Sequence, residues 1–261
     1  MIALGVLNRW GQETKEAAPL FGQEISEIKI SETFGQGYEM LKKAEKGWMV
    51  DDAEGLRPAD EETVNSLVGQ LAEIKLDNLV AENKDNFKNL GIGISGSVMV
   101  EINGQILEIG NVTKMYDGSY VKPKNEEKVY KVNTAIYSGN LAKPEYWSKR
   151  FLVSLPVSQV KKFTIERYGK TETIEPGEGK WPNSDRISLA ANLKAGKYLK
   201  DFKPSNADKM TISVETDKEK EKVIMGKEIF SGKTVWWVTR EETYYYEIER
   251  KDFDLLTVGR I

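Results

Sequence analysis

Cysteine and histidine are both absent from the 261 residues. Without cysteine the chain has no disulfide, no thiolate nucleophile and no thiolate metal ligand. Without histidine it lacks the usual general base near neutral pH and the commonest transition-metal ligand. Any catalysis would have to run on Asp, Glu, Lys, Tyr or Ser. An excess of one charge is missing too: 38 Lys and Arg face 41 Asp and Glu, for a net charge of -3 and a pI near 5.5. The two signs are interspersed, which gives no basic footprint for nucleic acid and no polybasic membrane-surface patch. The apolar start at Ile2 to Leu7 falls well short of the roughly 20 apolar residues that a spanning helix needs.

What remains suits a folded protein: 39% hydrophobic, 30% charged and 10% aromatic residues. The length allows one large domain or two ordinary ones. Two such cores need no disulfide staples, so the lack of cysteine fixes no compartment. Residues 1–22 read as a leader. Ile2 to Leu7 with Arg9 and Trp10 could be the tail of a removed membrane anchor, or a short terminal segment packing on the core.

The chain is organised around Gly47-Trp48-Met49-Val50 and the amphipathic segment Asp60 to Ile74, with Asp60 as N-cap and Val64, Leu67, Val68, Leu71 and Ile74 as its stripe. The pattern returns in degenerate form as Gly179-Lys180-Trp181 and the segment from Ser184 to Leu193. Before each Trp stands a strand pair, with turns at Phe34 to Gly37 and at Tyr168 to Lys170. After each helix comes a run of hairpins, marked by Asn103-Gly104 and Asp117-Gly118 in the first copy. Trp48 to Trp181 is an offset of 133, while Gly110 to Gly226 and Tyr130 to Tyr246 are both 116. The difference falls between helix and hairpins, where the first copy alone has Asn83 to Gly96. The expected fold is therefore α+β: two tandem similar units, 23–150 and 151–261, each an antiparallel sheet of hairpins packed with one main amphipathic helix.

Several stretches imitate chemistry. Gly91-Ile92-Gly93-Ile94-Ser95-Gly96 spells a dinucleotide fingerprint, but Ser97 to Asn103 alternates like a strand where a helix N-terminus is required. Gly232-Lys233-Thr234 ends like a phosphate-binding loop, yet Lys227 occupies the position of the needed glycine and Val235 to Val238 is strand-like. The acidic turn Asp51 to Gly55 lacks the ligand spacing of a calcium loop. Glu241 and Glu242 are adjacent and point apart. Asn111-Val112-Thr113 is a glycosylation triplet of little weight without a known host. No catalytic, cofactor-binding or metal-binding residue is assigned. Trp236 and Trp237 with Tyr244, Tyr245 and Tyr246 form a possible interaction surface, an aromatic strip that could stack sugars or receive a protein. The commoner outcome for such residues is cross-strand pairing that stabilises the sheet.

The succession Phe87 to Ile92, Ser97 to Val100, Leu107 to Gly110, Gly118 to Val121, Val129 to Val132 and Tyr146 to Arg150 resembles the bacterial "domain of unknown function 4340" family. The resemblance runs over roughly residues 25–261. The chain departs from it at Asn111, where the family often has Lys, and in the worn second copy. The resemblance implies an N-terminal membrane anchor, absent from this chain, an extracytoplasmic body at the bacterial cytoplasmic membrane, and association with ABC-type exporters of the gliding-motility kind. It supplies no catalytic residues. The expected function is a non-enzymatic, membrane-tethered accessory protein of an ABC-type transport system, partnered by a membrane transporter or envelope protein, without nucleic acid or small-molecule cofactor. The alternative is a cell-envelope glycan-binding module using the aromatic strip.

Overall fold

Strands form where apolar and polar residues alternate, and each main helix forms where the apolar period lengthens to three and four. The computed structural model describes residues 18–22, 24–149, 151–177, 180–205 and 208–257. The expected leader lies, up to residue 17, outside the described residues, as does Gly179 of the second Trp motif.

In chain order the strands are β1 (Glu27–Glu32), β2 (Glu39–Ala44), β3 (Gly47–Asp51), β4 (Arg57–Pro58), β5 (Asn78–Ala81), β6 (Val98–Ile102), β7 (Gln105–Val112), β8 (Ser119–Pro123) and β9 (Val129–Val132). Then come β10 (Lys162–Arg167), β11 (Lys170–Ile174), β12 (Lys209–Glu215), β13 (Lys220–Phe230), β14 (Lys233–Thr239) and β15 (Tyr246–Glu247). The helices are α1 (Glu61–Ala72), α2 (Ser138–Leu141), α3 (Pro144–Trp147), α4 (Ser184–Ala191) and α5 (Arg250–Thr257), with a 3-10 stretch at Lys84–Leu90. The class is mixed, with two antiparallel sheets and a few helices. The chain divides into two compact units: described residues up to Lys43 with Glu62–Tyr146, and Ala44–Glu61 with Trp147 onward.

In the first unit seven strands lie in the order β2-β1-β6-β7-β8-β9-β5. The β6–β7 hairpin turns on Asn103 and Gly104 at φ 51° and 78°, the left-handed pair that a two-residue turn needs. Helix α1 carries Glu61 and Glu62 in its first turn, where the helix dipole favours acids, and buries Val64, Leu67 and Leu71.

The second unit holds a six-stranded sheet in the order β11-β10-β12-β13-β14-β15, and a short β3–β4 pair in which Val50 faces Arg57. Tyr168-Gly169 and Ser231-Gly232 repeat the left-handed turn at φ 51°/74° and 51°/76°. One core gathers Phe163, Ile165, Ile212, Val214, Met225 and Val238 from the sheet with Ile187 and Ala191 of α4 and Phe253 and Leu256 of α5. The buried Arg186 guanidinium ties the two helices by donating to the Leu256 carbonyl at 2.8 and 3.0 Å. A second, smaller cluster contains Leu199, Phe202, Val235 and Trp237.

The aromatic stretch from Tyr244 to Ile248 pairs over less of its length than its composition suggests. Glu242 takes φ 54° and donates its N–H to Thr239 Oγ1, bending the chain before it can pair, so only Tyr246 and Glu247 join β14.

Candidate functional site

The glycine-rich loop at 91–96 leads into β6, and its interior is already occupied by an anion from the protein itself. The buried Glu108 carboxylate accepts the Gly93 N–H at 2.6 Å and the Ser97 hydroxyl at 2.8 Å. A loop amide committed to a carboxylate is not free to cradle a pyrophosphate. Gly91, at φ 78°, leaves no room for a side chain, since a Cβ would lie 2.6 Å from the Asn111 backbone nitrogen. Gly232 closes the turn between β13 and β14, and Lys233 and Thr234 already belong to β14, opposite Phe230 and Ile229.

The acidic turn at 51–55 serves an internal cation. Asp52 takes both terminal nitrogens of Arg57, each at 2.7 Å, and the two side chains are 1% and 0% exposed. Ser148 Oγ accepts from Arg57 Nη2 at 3.1 Å and the Gly55 carbonyl from Nη1 at 3.1 Å, so the guanidinium fork is well supplied. Burial works to lower the Arg57 pKa, but the Asp52 carboxylate outweighs it and holds it above its ordinary value. Among the described residues no group of three or more acidic side chains is placed to hold a metal ion.

The five aromatics do not form one exposed row. Trp237 and Tyr246 are buried; Trp236, Tyr244 and Tyr245 are half-buried. The alternation of β14 sends the two tryptophans to opposite faces, and both faces are covered. Trp236 packs against the main core, with the Arg250 guanidinium 5.8 Å above its ring. Trp237 lies over Gly226, where a Cβ would meet its Cζ2 at 2.6 Å, and packs edge-on against Tyr245 at 5.6 Å. Tyr246 enters the main core beside Tyr198, at 5.9 Å, and burial pushes its phenol far above the usual value. The Tyr246 hydroxyl and Trp237 Nε1 find no hydrogen-bond partner among the described residues.

A cleft of about 490 Å³ opens in the second unit beside the Trp237 cluster. Residues 196–199 build one wall by running along β15: the Gly196 N–H donates to the Glu247 carbonyl, the Glu247 N–H to the Lys197 carbonyl, and the Leu199 N–H to the Tyr245 carbonyl. Leu199, Val235 and Phe230 supply the apolar lining, and Lys197, Lys200 and Lys233 the cationic part. Glu54 and Glu247 also line it. Sequence reasoning missed this cleft because its lysines are scattered over 37 residues and belong to no motif.

No curated protein and no solved structure matches the chain. Residues 24–228 match the family model described as Domain of unknown function (DUF4340), a span that runs through both units. The chain belongs to that family.

Proposed function

We propose that the chain is a non-enzymatic accessory protein of an ABC-type transport system, working through protein contacts on the extracytoplasmic face of a bacterial cytoplasmic membrane. The observation that carries this reading is the family match over 24–228, together with the transporter association that the resemblance implies. The composition supports the non-catalytic part, since neither Cys nor His occurs in the 261 residues. No helix among the described residues is long and apolar enough to cross a membrane.

We further propose that residues 23–150 and 151–261 descend from one duplicated unit. In the first, β1 lies between β2 and β6; in the second, β10 lies between β11 and β12, and each order then continues through three further strands of a meander. Gly110 and Gly226 occupy β7 and β13, and Tyr130 and Tyr246 occupy β9 and β15, at the shared offset of 116.

In-cell crosslinking of the full-length protein, followed by mass spectrometry of material purified from solubilised membrane, tests the functional reading. Crosslinks to an ABC permease or its partner are the expected result. Recovery of envelope polymer with no transporter component would overturn it.

A further inference from the structure

We propose that the cleft in the second unit is a docking site for a short extended segment of a partner protein that alternates acidic and aliphatic side chains. This rests on reading the chain as a protein-contact subunit, and it names where that contact is made.

Charge is the first argument. None of Lys197, Lys200 and Lys233 forms an ion pair with a described residue, although the rest of the surface carries many such pairs. In a chain of net charge -3, three uncommitted lysines on one concave surface are a local reversal of sign that draws an acidic partner. Glu54 and Glu247 restrict what fits. Glu54 lies 3.7 Å from Arg57, and both carboxylates repel an uninterrupted acidic run, so a partner's acids must be spaced to meet the lysines.

Shape and backing are the second. A volume of about 490 Å³ suits a few side chains. Its apolar wall is rigid, because Phe230 stands edge-on to Phe202 at 5.1 Å, and Phe202 packs on Trp237. An aliphatic side chain therefore meets a surface already ordered, which lowers the entropy cost of binding.

The third is backbone. The Lys197 carbonyl accepts from the Glu247 N–H and the Leu199 N–H donates to the Tyr245 carbonyl, so the intervening Tyr198, opposite Tyr246, turns its own N–H and carbonyl the other way, and neither bonds to a described residue. An extended peptide can pair with that edge, whereas a small free acid cannot.

The test uses the isolated, isotope-labelled chain and the peptide acetyl-Leu-Glu-Val-Glu-Leu-amide, read by amide chemical shifts. The expected result is a set of perturbations centred on 197–200 and 231–235, with affinity falling by about tenfold in the K200E/K233E double variant as two attractions become repulsions. All three lysines are exposed, so the double variant keeps the fold, and its unperturbed core amides check this. A K222E control reverses one charge on another part of the sheet and leaves affinity unchanged. Equal binding of a peptide with Lys in place of Glu, or no localised shift at millimolar peptide, would overturn the assignment. Decanoate reproducing the map while the peptide does not would make the cleft a fatty-acid site instead. The two proposals fail separately. A transporter that crosslinks equally well to K200E/K233E protein removes the cleft and leaves the subunit reading standing. Peptide binding with no transporter in the crosslinks does the reverse.

Discussion

Asp52 and Arg57 show how much one buried pair commits the chain to. The guanidinium is fully buried, and its charge is answered mainly by a carboxylate five residues earlier. Removing one partner of such a pair strands the other charge without water, which costs about 3–5 kcal/mol. Asp52→Asn is therefore expected to lower the urea midpoint of the second unit strongly, while Arg57→Met with Asp52→Leu recovers much of the loss. Equal stability of Asp52→Asn and the parent would mean that Arg57 reaches solvent. Gly226 makes the same point sterically. A methyl there would sit 2.6 Å from the Trp237 ring and 2.7 Å from the Asp208 carbonyl, so Gly226→Ala must push apart a sheet and the aromatic layer on it. The expected cost is about 1–3 kcal/mol, with a shifted Trp fluorescence maximum as the second readout. Neither role is visible in the sequence. Asp52 reads as one acid in a solvated turn until folding brings up Ser148, and Gly226 reads as an interruption of a strand until Trp237 is laid over it.

Elements were legible where local pattern and tertiary demand agree. The stripe of α1 is buried at Val64, Leu67 and Leu71, with Ile74 buried just beyond the helix, and the Asn103-Gly104 and Tyr168-Gly169 turns stand where residue preference puts them. Elements whose reason lies elsewhere in the chain were not. Strand β5 is short and mostly exposed, and exists because it pairs with β9, about fifty residues on. Helix α5 closes over the core that α4 begins, through a bond from Arg186 to its last turn. The 91–96 loop lies between these cases: strand-like residues after it exclude a nucleotide fingerprint, but the use of its amides appears only with Glu108 in place. Glu108 also lies 3.4 Å from the Thr33 hydroxyl, so one carboxylate organises the loop and the neighbouring strand end. Glu108→Ala removes the acceptor of the Gly93 N–H and the charged acceptor of the buried Ser97 hydroxyl, which keeps the Ile94 carbonyl at 2.8 Å, at a cost of about 1–3 kcal/mol. Amide exchange should quicken at residues 91–97 while α1 keeps its protection. Unchanged exchange in the loop would show that Glu108 does not hold it.

At the scale of the whole molecule, the groups pushed furthest from their ordinary titration among the described residues are phenols. Tyr130 rises to about 12, through burial first and then its hydrogen bond to Glu126; Tyr246 rises further, through burial in the second core. Tyr198 and Tyr245 are raised as well, again chiefly by burial. The phenol is neutral when protonated, so a raised folded pKa means that the native state holds its proton after the unfolded chain, titrating near 10, has released it. Below about pH 10 both states are protonated and the stabilisation is fully present. As pH climbs from there through the folded values, the unfolded state binds fewer protons and stability falls, by at most about 1.4 kcal/mol per pH unit for a fully buried phenol. The two units contain different members of this set, the half-buried Tyr130 in the first and the core residue Tyr246 in the second, so both weaken. Urea midpoints between about pH 8 and about pH 11.5 should decline only in the upper part of the range, in step with delayed phenolate absorbance in the folded protein. Tyr130→Phe should flatten the alkaline slope of the first unit's transition and leave that of the second unchanged. Stability that stays level to the top of the range, or a slope in the first unit that survives Tyr130→Phe, would show that burial of these rings does not control the alkaline limit.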